Sequence, residues 1–216
     1  MPLYIFDLDG TLVNSYPQVY RAFCIALESV DELIPDAVSL SRCMGTSMSQ
    51  TLDQLYSDWS RERRVHFRRV FGETYASVFM ASTPFDGASD VIELCEDRCA
   101  IVTNKAEKWA RPLVDQFGWQ HVTLICPTDR ADRKPAPLMI QRAKSALLSR
   151  HQSDLIMSVG DTLADKQASI AASVPFVGVA WTHHDLGMHR LLESWHVFGQ
   201  RIARGGLGEF DVYLGS

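Results

Sequence analysis

Three features of the chain point to a doubly wound parallel α/β sheet with an all-helical insertion after its first strand. Five short apolar runs have the length and composition of buried parallel strands: Leu3–Phe6, Cys99–Thr103, Val122–Cys126, Leu155–Val159 and Phe176–Ala180. Helical patterns near 86–97, 106–117, 136–148 and 163–172 separate most of them, the alternation that builds βαβ units. Residues 15–83 hold no convincing strand and continue as consecutive helices. The expected domains are an α/β core of 1–14 and 84–216 and a helical unit of 15–83 lying over the strand ends.

The first strand ends in Asp7-Leu8-Asp9-Gly10-Thr11. Residues two apart on a strand share a side, so Asp7 and Asp9 can face one substrate together. Gly10 lets the chain turn sharply just past the strand. Open parallel sheets bind ligands beyond the carboxyl ends of their strands, and two carboxylates there need a cation or a proton to coexist.

In the insertion, Asn14 and Ser15 suit a helix N-cap and Pro17 a first turn. Pro35-Asp36 and Gly45–Ser47 break the helices, and Pro84 and Gly87 return the chain to the sheet. A long helix over about 60–80 carries an apolar stripe of Phe67, Phe71, Tyr75 and Val78, preceded by a basic run from Arg61 to Arg69. Arg63 and Arg64 fall near the extension of that stripe, where one could meet an anion. The simpler expectation for such a run is a solvated basic face.

Three further signals each follow an apolar run. Ala100-Ile101-Val102 leads into Thr103-Asn104-Lys105, where a hydroxyl and a helix N-terminus can hold an anion. In Arg133-Lys134-Pro135-Ala136-Pro137, Pro135 fits a helix start and leaves Lys134 in the loop as a compact cation. Met157-Ser158-Val159 leads into Gly160-Asp161-Thr162-Leu163-Ala164-Asp165, whose two acids are spaced to share one side. Such hard oxygen donors suit Mg²⁺, and the absence of histidine from all four pieces weighs against zinc.

Composition narrows the classes. A formal net charge of −5 argues against a general nucleic-acid binder. No apolar run has the length of a bilayer span. The N-terminal residues show no basic segment followed by a signal-like apolar stretch, so cytoplasm is the expected compartment. The five cysteines are scattered without a Cys-x-x-Cys pair, which disfavours zinc or a disulfide framework; Cys24 and Cys126 are expected as small core residues.

Together, FDLDGT, VTNK, KPAP and GDTLAD resemble the four signature motifs of the haloacid dehalogenase superfamily of phosphohydrolases. The chain is most similar to the phosphoglycolate phosphatase-like group, whose small helical cap follows the first motif. The resemblance extends through about residue 182 and implies a Rossmann-like core. It implies Asp7 as a nucleophile forming an aspartyl-phosphate and Asp9 as general acid, then base. Thr103 and the Asn104 backbone would bind phosphoryl oxygens, and Lys134 would offset the charge of Asp7 and the phosphate. Asp161, with Asp7 and the Asp9 carbonyl, would hold Mg²⁺, with Asp165 a further ligand or an anchor behind it. Gly45 and Thr46 resemble the group's substrate-facing loop, and Arg63 or Arg64 could read a second anionic group of the substrate. The cap is expected to open and close over the acids.

The implied activity is Mg²⁺-dependent hydrolysis of a small phosphorylated metabolite, a phosphoglycolate-like phosphomonoester, by a monomer or homodimer with no nucleic-acid or membrane partner. Asp9 argues against a dehalogenase, which lacks this acid, and the lack of Lys between Asn14 and Phe85 argues against a phosphonoacetaldehyde hydrolase. A β-phosphoglucomutase-like isomerase, a pyrophosphatase or nucleotidase, and a non-catalytic phospho-ligand-binding protein stay open. Asn14 stands where the group commonly has Asp, and Ser173 where it often has Gly. The tail from His183 onward does not resemble the group's ending; a closing helix near 185–195 with a peripheral strand or loop is expected there.

Overall fold

The structure, a computed structural model, describes residues 1–36, 40, 48–182 and 184–204. The chain divides into two compact units, Ser15–Thr83 on one side and Met1–Asn14 with the chain from Pro84 onward on the other.

The Ser15–Thr83 unit contains α1 (Tyr16–Glu28), α2 (Met48–Leu55) and α3 (Arg61–Val78). Phe23, Ala26 and Leu27 of α1 form one apolar cluster with Leu52 of α2, Phe67 of α3, Leu40 and Trp59. Phe23 and Phe67 meet edge to face at 4.9 Å between ring centres. Ser60 caps α3 by accepting a hydrogen bond from the Arg63 amide, which fixes where the helix begins. Of the expected stripe, Phe67 and Tyr75 are buried, whereas Phe71 and Val78 are half-buried.

The other unit is built on five parallel strands: β1 (Leu3–Phe6), β2 (Cys99–Val102), β3 (Thr123–Ile125), β4 (Ile156–Gly160) and β5 (Phe176–Gly178). Their spatial order is β3-β2-β1-β4-β5. Helices α4 (Ala88–Cys95), α5 (Glu107–Gln116), α6 (Leu138–Leu148) and α7 (Leu163–Ala171) connect them, and α8 (Trp195–Ala203) follows.

Strand alternation divides the core in two. Tyr4 and Phe6 join Val91, Ile92, Ala110, Val114, Trp195 and Phe198 in one cluster. Leu3 and Ile5 join Met139, Ile140, Ala143, Leu147 and Ala168 in the other. The sheet is thus covered on both faces, which is why its strands are apolar throughout rather than alternating. The chain steps outward from β1 to β2 and β3, then returns to β4 on the other side of β1. Phe6 lies in register with Val159, so the residues that follow β1 and β4 emerge side by side at this topological switch.

Several local expectations are corrected. Helix α6 begins at Leu138 rather than at Pro135, because the Ala136 amide closes a turn onto the Arg133 carbonyl; the Lys134–Pro135 peptide is cis. The closing helix is not at 185–195. It begins at Trp195, where the Ser194 hydroxyl accepts from the Val197 amide. Upstream, Leu192 forms a parallel bridge with Val179, exchanging hydrogen bonds with Gly178 and Ala180 along the sheet edge. Cys24 and Cys126 are only half-buried; among the described residues the fully buried thiols are Cys95 and Cys99, and these four cysteines are free. Ser173 takes φ of 53°, the left-handed conformation that explains why glycine suits this position. Among the described residues no helix is long and apolar enough to cross a membrane.

Helix α8 seals one face through Phe198, which packs edge-on against Tyr4, Phe6 and Trp195 at 5.4–5.9 Å. Truncation by Phe198→Ala should cost about 3–5 kcal/mol in urea denaturation. A loss below about 1 kcal/mol would show that the tail helix is not part of the core.

Candidate active site

Asp7 continues β1 by one residue: its amide donates to the Val159 carbonyl at 2.9 Å, so its side chain is set by the sheet ladder. The chain then turns at Gly10, whose φ of 81° favours glycine. Space demands glycine as well, since a β-carbon there would lie 2.3 Å from Asp161 Oδ2. The turn is held from outside by two indoles. Trp181 Nε1 donates to the Gly10 carbonyl at 3.0 Å, and Trp195 Nε1 to the Thr11 carbonyl at 3.1 Å. The Thr11 hydroxyl in turn donates to Asp161 Oδ1 at 2.9 Å.

Lys134 is the hub. Its Nζ lies 2.6 Å from Asp7 Oδ1 and 2.5 Å from Asp165 Oδ1, and it donates to the Val102 carbonyl at 2.8 Å. Its loop is fixed by Asn104, whose side chain accepts from the Lys134 amide at 2.8 Å and donates to the Lys134 carbonyl at 3.0 Å. The second oxygen of Asp165 accepts from the Thr162 amide, completing a capping box at the start of α7. Gly160 makes this approach possible, because a β-carbon there would meet Asp165 Cβ at 2.6 Å.

Asp7, Asp161 and Asp165 are all nearly inaccessible to water, and each offers an oxygen within 4.8 Å of the others. Burial pushes the Asp7 carboxyl well above its ordinary pKa; Lys134 opposes this, while Asp165 and Asp161 add to it. Burial also raises Asp161, against hydrogen bonds from His184 and Thr11. For Lys134, burial pulls the pKa down, but Asp165 and Asp7 outweigh it and hold the ammonium charged.

One ammonium does not balance three carboxylates, and a divalent cation would supply what is missing. An ion with oxygen ligands at about 2.1 Å spans about 4.2 Å between opposite ligands, close to the spread of these atoms. The donor set is all oxygen, which fits a hard cation.

The structure therefore brings Asp7, Lys134, Asp161 and Asp165 together. Asp9 is nearby in sequence but is paired with Lys105, whose Nζ reaches both carboxylate oxygens at 2.8 and 2.9 Å. Thr103 is buried at the end of β2, and its hydroxyl accepts from the Lys105 amide. Asn104 ties Lys134 in place through its side chain, a role distinct from the backbone anion contact expected of it.

Arg63 and Arg64 make their contacts within the helical unit. Arg63 donates to the Val30 carbonyl and Glu32 and lies over the Trp59 ring. Arg64 pairs with Asp53 and donates to the Tyr56, Ser57 and Trp59 carbonyls. Those contacts give a substrate role for either arginine no support. Gly45 and Thr46 lie outside the described residues.

Two residues were given no role by the sequence. Lys105 stood in the second motif, and its charge opposite the acidic first motif was the available signal. His184, whose Nδ1 lies 3.1 Å from Asp161 Oδ2, comes from the tail and had none.

A family model for haloacid dehalogenase-like hydrolases matches residues 4–179. The phosphoglycolate phosphatase of Thiobacillus denitrificans is 26% identical over 194 residues, covering 83% of each chain. The phosphoglycolate phosphatase of Xylella fastidiosa is 28% identical over 190 residues, 84% of this chain and 82% of its own. A crystal structure from Lactobacillus delbrueckii subsp. bulgaricus matches with a TM-score of 0.77 over 93% of this chain and 97% of that one. Its 17% identity makes this a likeness of fold. The chain belongs to the haloacid dehalogenase-like hydrolase family, and it is similar to the two phosphoglycolate phosphatases named above.

Replacing Lys134 with Met should leave the acids without their buried counter-charge and destabilise the cation-free protein by about 3–5 kcal/mol. Chemical denaturation in a chelator measures this. A change below about 1 kcal/mol would mean that the lysine does not hold the cluster together.

Proposed function

We propose that the protein hydrolyses a small phosphomonoester, phosphoglycolate-like in size and charge, with Mg²⁺ as cofactor and an aspartyl-phosphate at Asp7. The observation that carries this is the Asp7 carboxylate at the end of β1, 2.6 Å from Lys134 and grouped with Asp161 and Asp165. The phosphoglycolate phosphatase relatives support the substrate class.

An oxygen of Asp7 attacks phosphorus in line with the ester oxygen, and the bond to that oxygen breaks. Asp9 supplies a proton to the departing alkoxide. Water then attacks the aspartyl-phosphate while Asp9 takes up a proton, and inorganic phosphate leaves with Asp7 regenerated. For Asp9 to act, Lys105 must give up its two contacts with that carboxylate. Thr103 donates its hydroxyl to a phosphoryl oxygen. Lys134 favours the ionised form of Asp7 against the effect of burial and opposes the build-up of negative charge as phosphate approaches.

Asp7, Asp161 and the Asp9 carbonyl would hold Mg²⁺, which neutralises charge on the transferred oxygens when bound. Asp165, with both oxygens engaged by Lys134 and Thr162, serves as the anchor of the lysine. The Ser15–Thr83 unit is the cap in this reading, and the remainder is the catalytic domain.

Asp7→Asn should lower kcat for Mg²⁺-dependent phosphate release by at least about 10³-fold. A screen over phosphoglycolate, pyrophosphate, nucleotides and sugar phosphates identifies the substrate on which to measure it. Undiminished turnover in the variant would remove Asp7 from the chemistry.

The carboxyl shifts also set a pH dependence. Asp7 and Asp161 have raised folded pKa values, so their protonated forms favour the fold. That contribution is complete below the ordinary carboxylate value of 3.8 and is lost as pH rises through the raised values. Mg²⁺ competes with those protons, so it should raise the melting temperature more at about pH 8 than at about pH 5.5. An equal or larger rise at the lower pH would contradict the assignment of these acids as the cation site.

A further inference from the structure

His184 lies five residues beyond the segment matched by the family model, in the tail with the least familiar sequence. Yet its imidazole reaches Asp161. Nδ1 is 3.1 Å from Asp161 Oδ2; the side chains are 15% and 2% exposed. The other oxygen of the same carboxylate accepts from Thr11 at 2.9 Å. A carboxylate oxygen has two lone-pair directions. One on each oxygen is therefore taken by a donor, which fixes the rotation of the carboxyl plane.

Two further observations define the role. First, His184 is held there by its neighbours in the chain. Trp181, three residues before it, is tied to the Gly10 carbonyl at 3.0 Å. Leu186, two residues after it, accepts from Lys166 Nζ at 2.8 Å and is itself buried. Second, among the described residues the group whose ligand atoms all lie within 4.8 Å of one another comprises Asp7, Asp161 and Asp165, without His184. The imidazole thus touches a carboxylate of the group but stands outside it.

We propose that His184 is a positioning residue for Asp161, fixing through its Nδ1–H the carboxylate orientation that a divalent cation requires. The proposal rests on the reading that Asp161 holds the cation. Partners that orient a metal-binding side chain typically contribute 10- to 100-fold to affinity, and orientation is the quantity they control. This assigns the atypical tail a share in the chemistry: with Thr11, it supplies a donor that holds the cation-binding carboxylate in place.

Mn²⁺ serves as the probe, with the free ion counted by its electron paramagnetic resonance signal, so the readout does not depend on turnover. His184→Ala should raise the Mn²⁺ Kd about 10- to 100-fold. His184→Asn places an amide N–H where Nδ1 stood and should return the Kd to within about threefold of the parent protein. His184→Gln is similar in bulk but places its amide at the Nε2 position, and should behave like the alanine variant.

Asp161→Asn is measured in parallel and should abolish binding. If it does so while His184→Ala keeps the parent Kd, the positioning role is overturned and the cation site stands. If His184→Asn fails to rescue, or His184→Gln rescues equally, the hydrogen bond is not the cause and the proposal is likewise overturned. Parent-like binding by Asp161→Asn would remove the cation site itself, and the proposal with it.

Discussion

Three carboxylates nearly out of reach of water, those of Asp7, Asp161 and Asp165, converge beside one lysine at the ends of two adjacent strands, and the surrounding structure is organised to tolerate them. Isolated buried charges are costly by several kcal/mol each unless paired or hydrogen-bonded. Each acid here is answered locally. Lys134 bridges Asp7 and Asp165, the α7 capping box engages Asp165, and Thr11 and His184 engage Asp161. Even the glycines serve this end, because Gly10 and Gly160 leave the space into which Asp161 and Asp165 fit. What stays uncompensated is negative charge, which a cation or a proton would offset.

The fold delivers these groups from four separate strand ends. β1 carries Asp7, β2 leads to Thr103 and Asn104, the segment after β3 carries Lys134, and β4 leads to Asp161. Because β1 sits between β2 and β4, side chains more than a hundred residues apart meet within hydrogen-bond distance. Asn104 illustrates the coupling. Its side chain pins the lysine loop, linking the second and third motifs.

Much of this was legible because the motifs depend on local backbone demands. An apolar strand, two acids in alternation and a glycine turn need no distant information to be recognised, and the core strands announced themselves as apolar runs. The parts that escaped depend on long-range partners. Residues 185–193 contain Leu186, Met188, Leu191 and Leu192, enough apolar character to suggest a helix. The chain spends them on the sheet edge, where Leu192 bridges Val179 and the Gly178 backbone has Leu186 and Leu191 packed against it. The partners of Arg63 on α3 are also distant in sequence: Glu32 and the Val30 carbonyl lie some thirty residues upstream and engage it. The partners of Lys105 and His184, Asp9 and Asp161, are likewise brought to them by the fold, and for His184 no local signal marked the residue.

The central claim is that the first acid of the chain becomes covalently bonded to phosphorus, and chemical trapping tests it most directly. The protein is mixed briefly with p-nitrophenyl phosphate and Mg²⁺, quenched in acid, and treated with borohydride, which reduces an acyl phosphate to the alcohol. Peptide mass spectrometry then locates the change. Conversion of Asp7 to homoserine, dependent on both substrate and Mg²⁺, is the expected result. Phosphate release with Asp7 unmodified, or with the reduced residue found at another acid, would contradict the account.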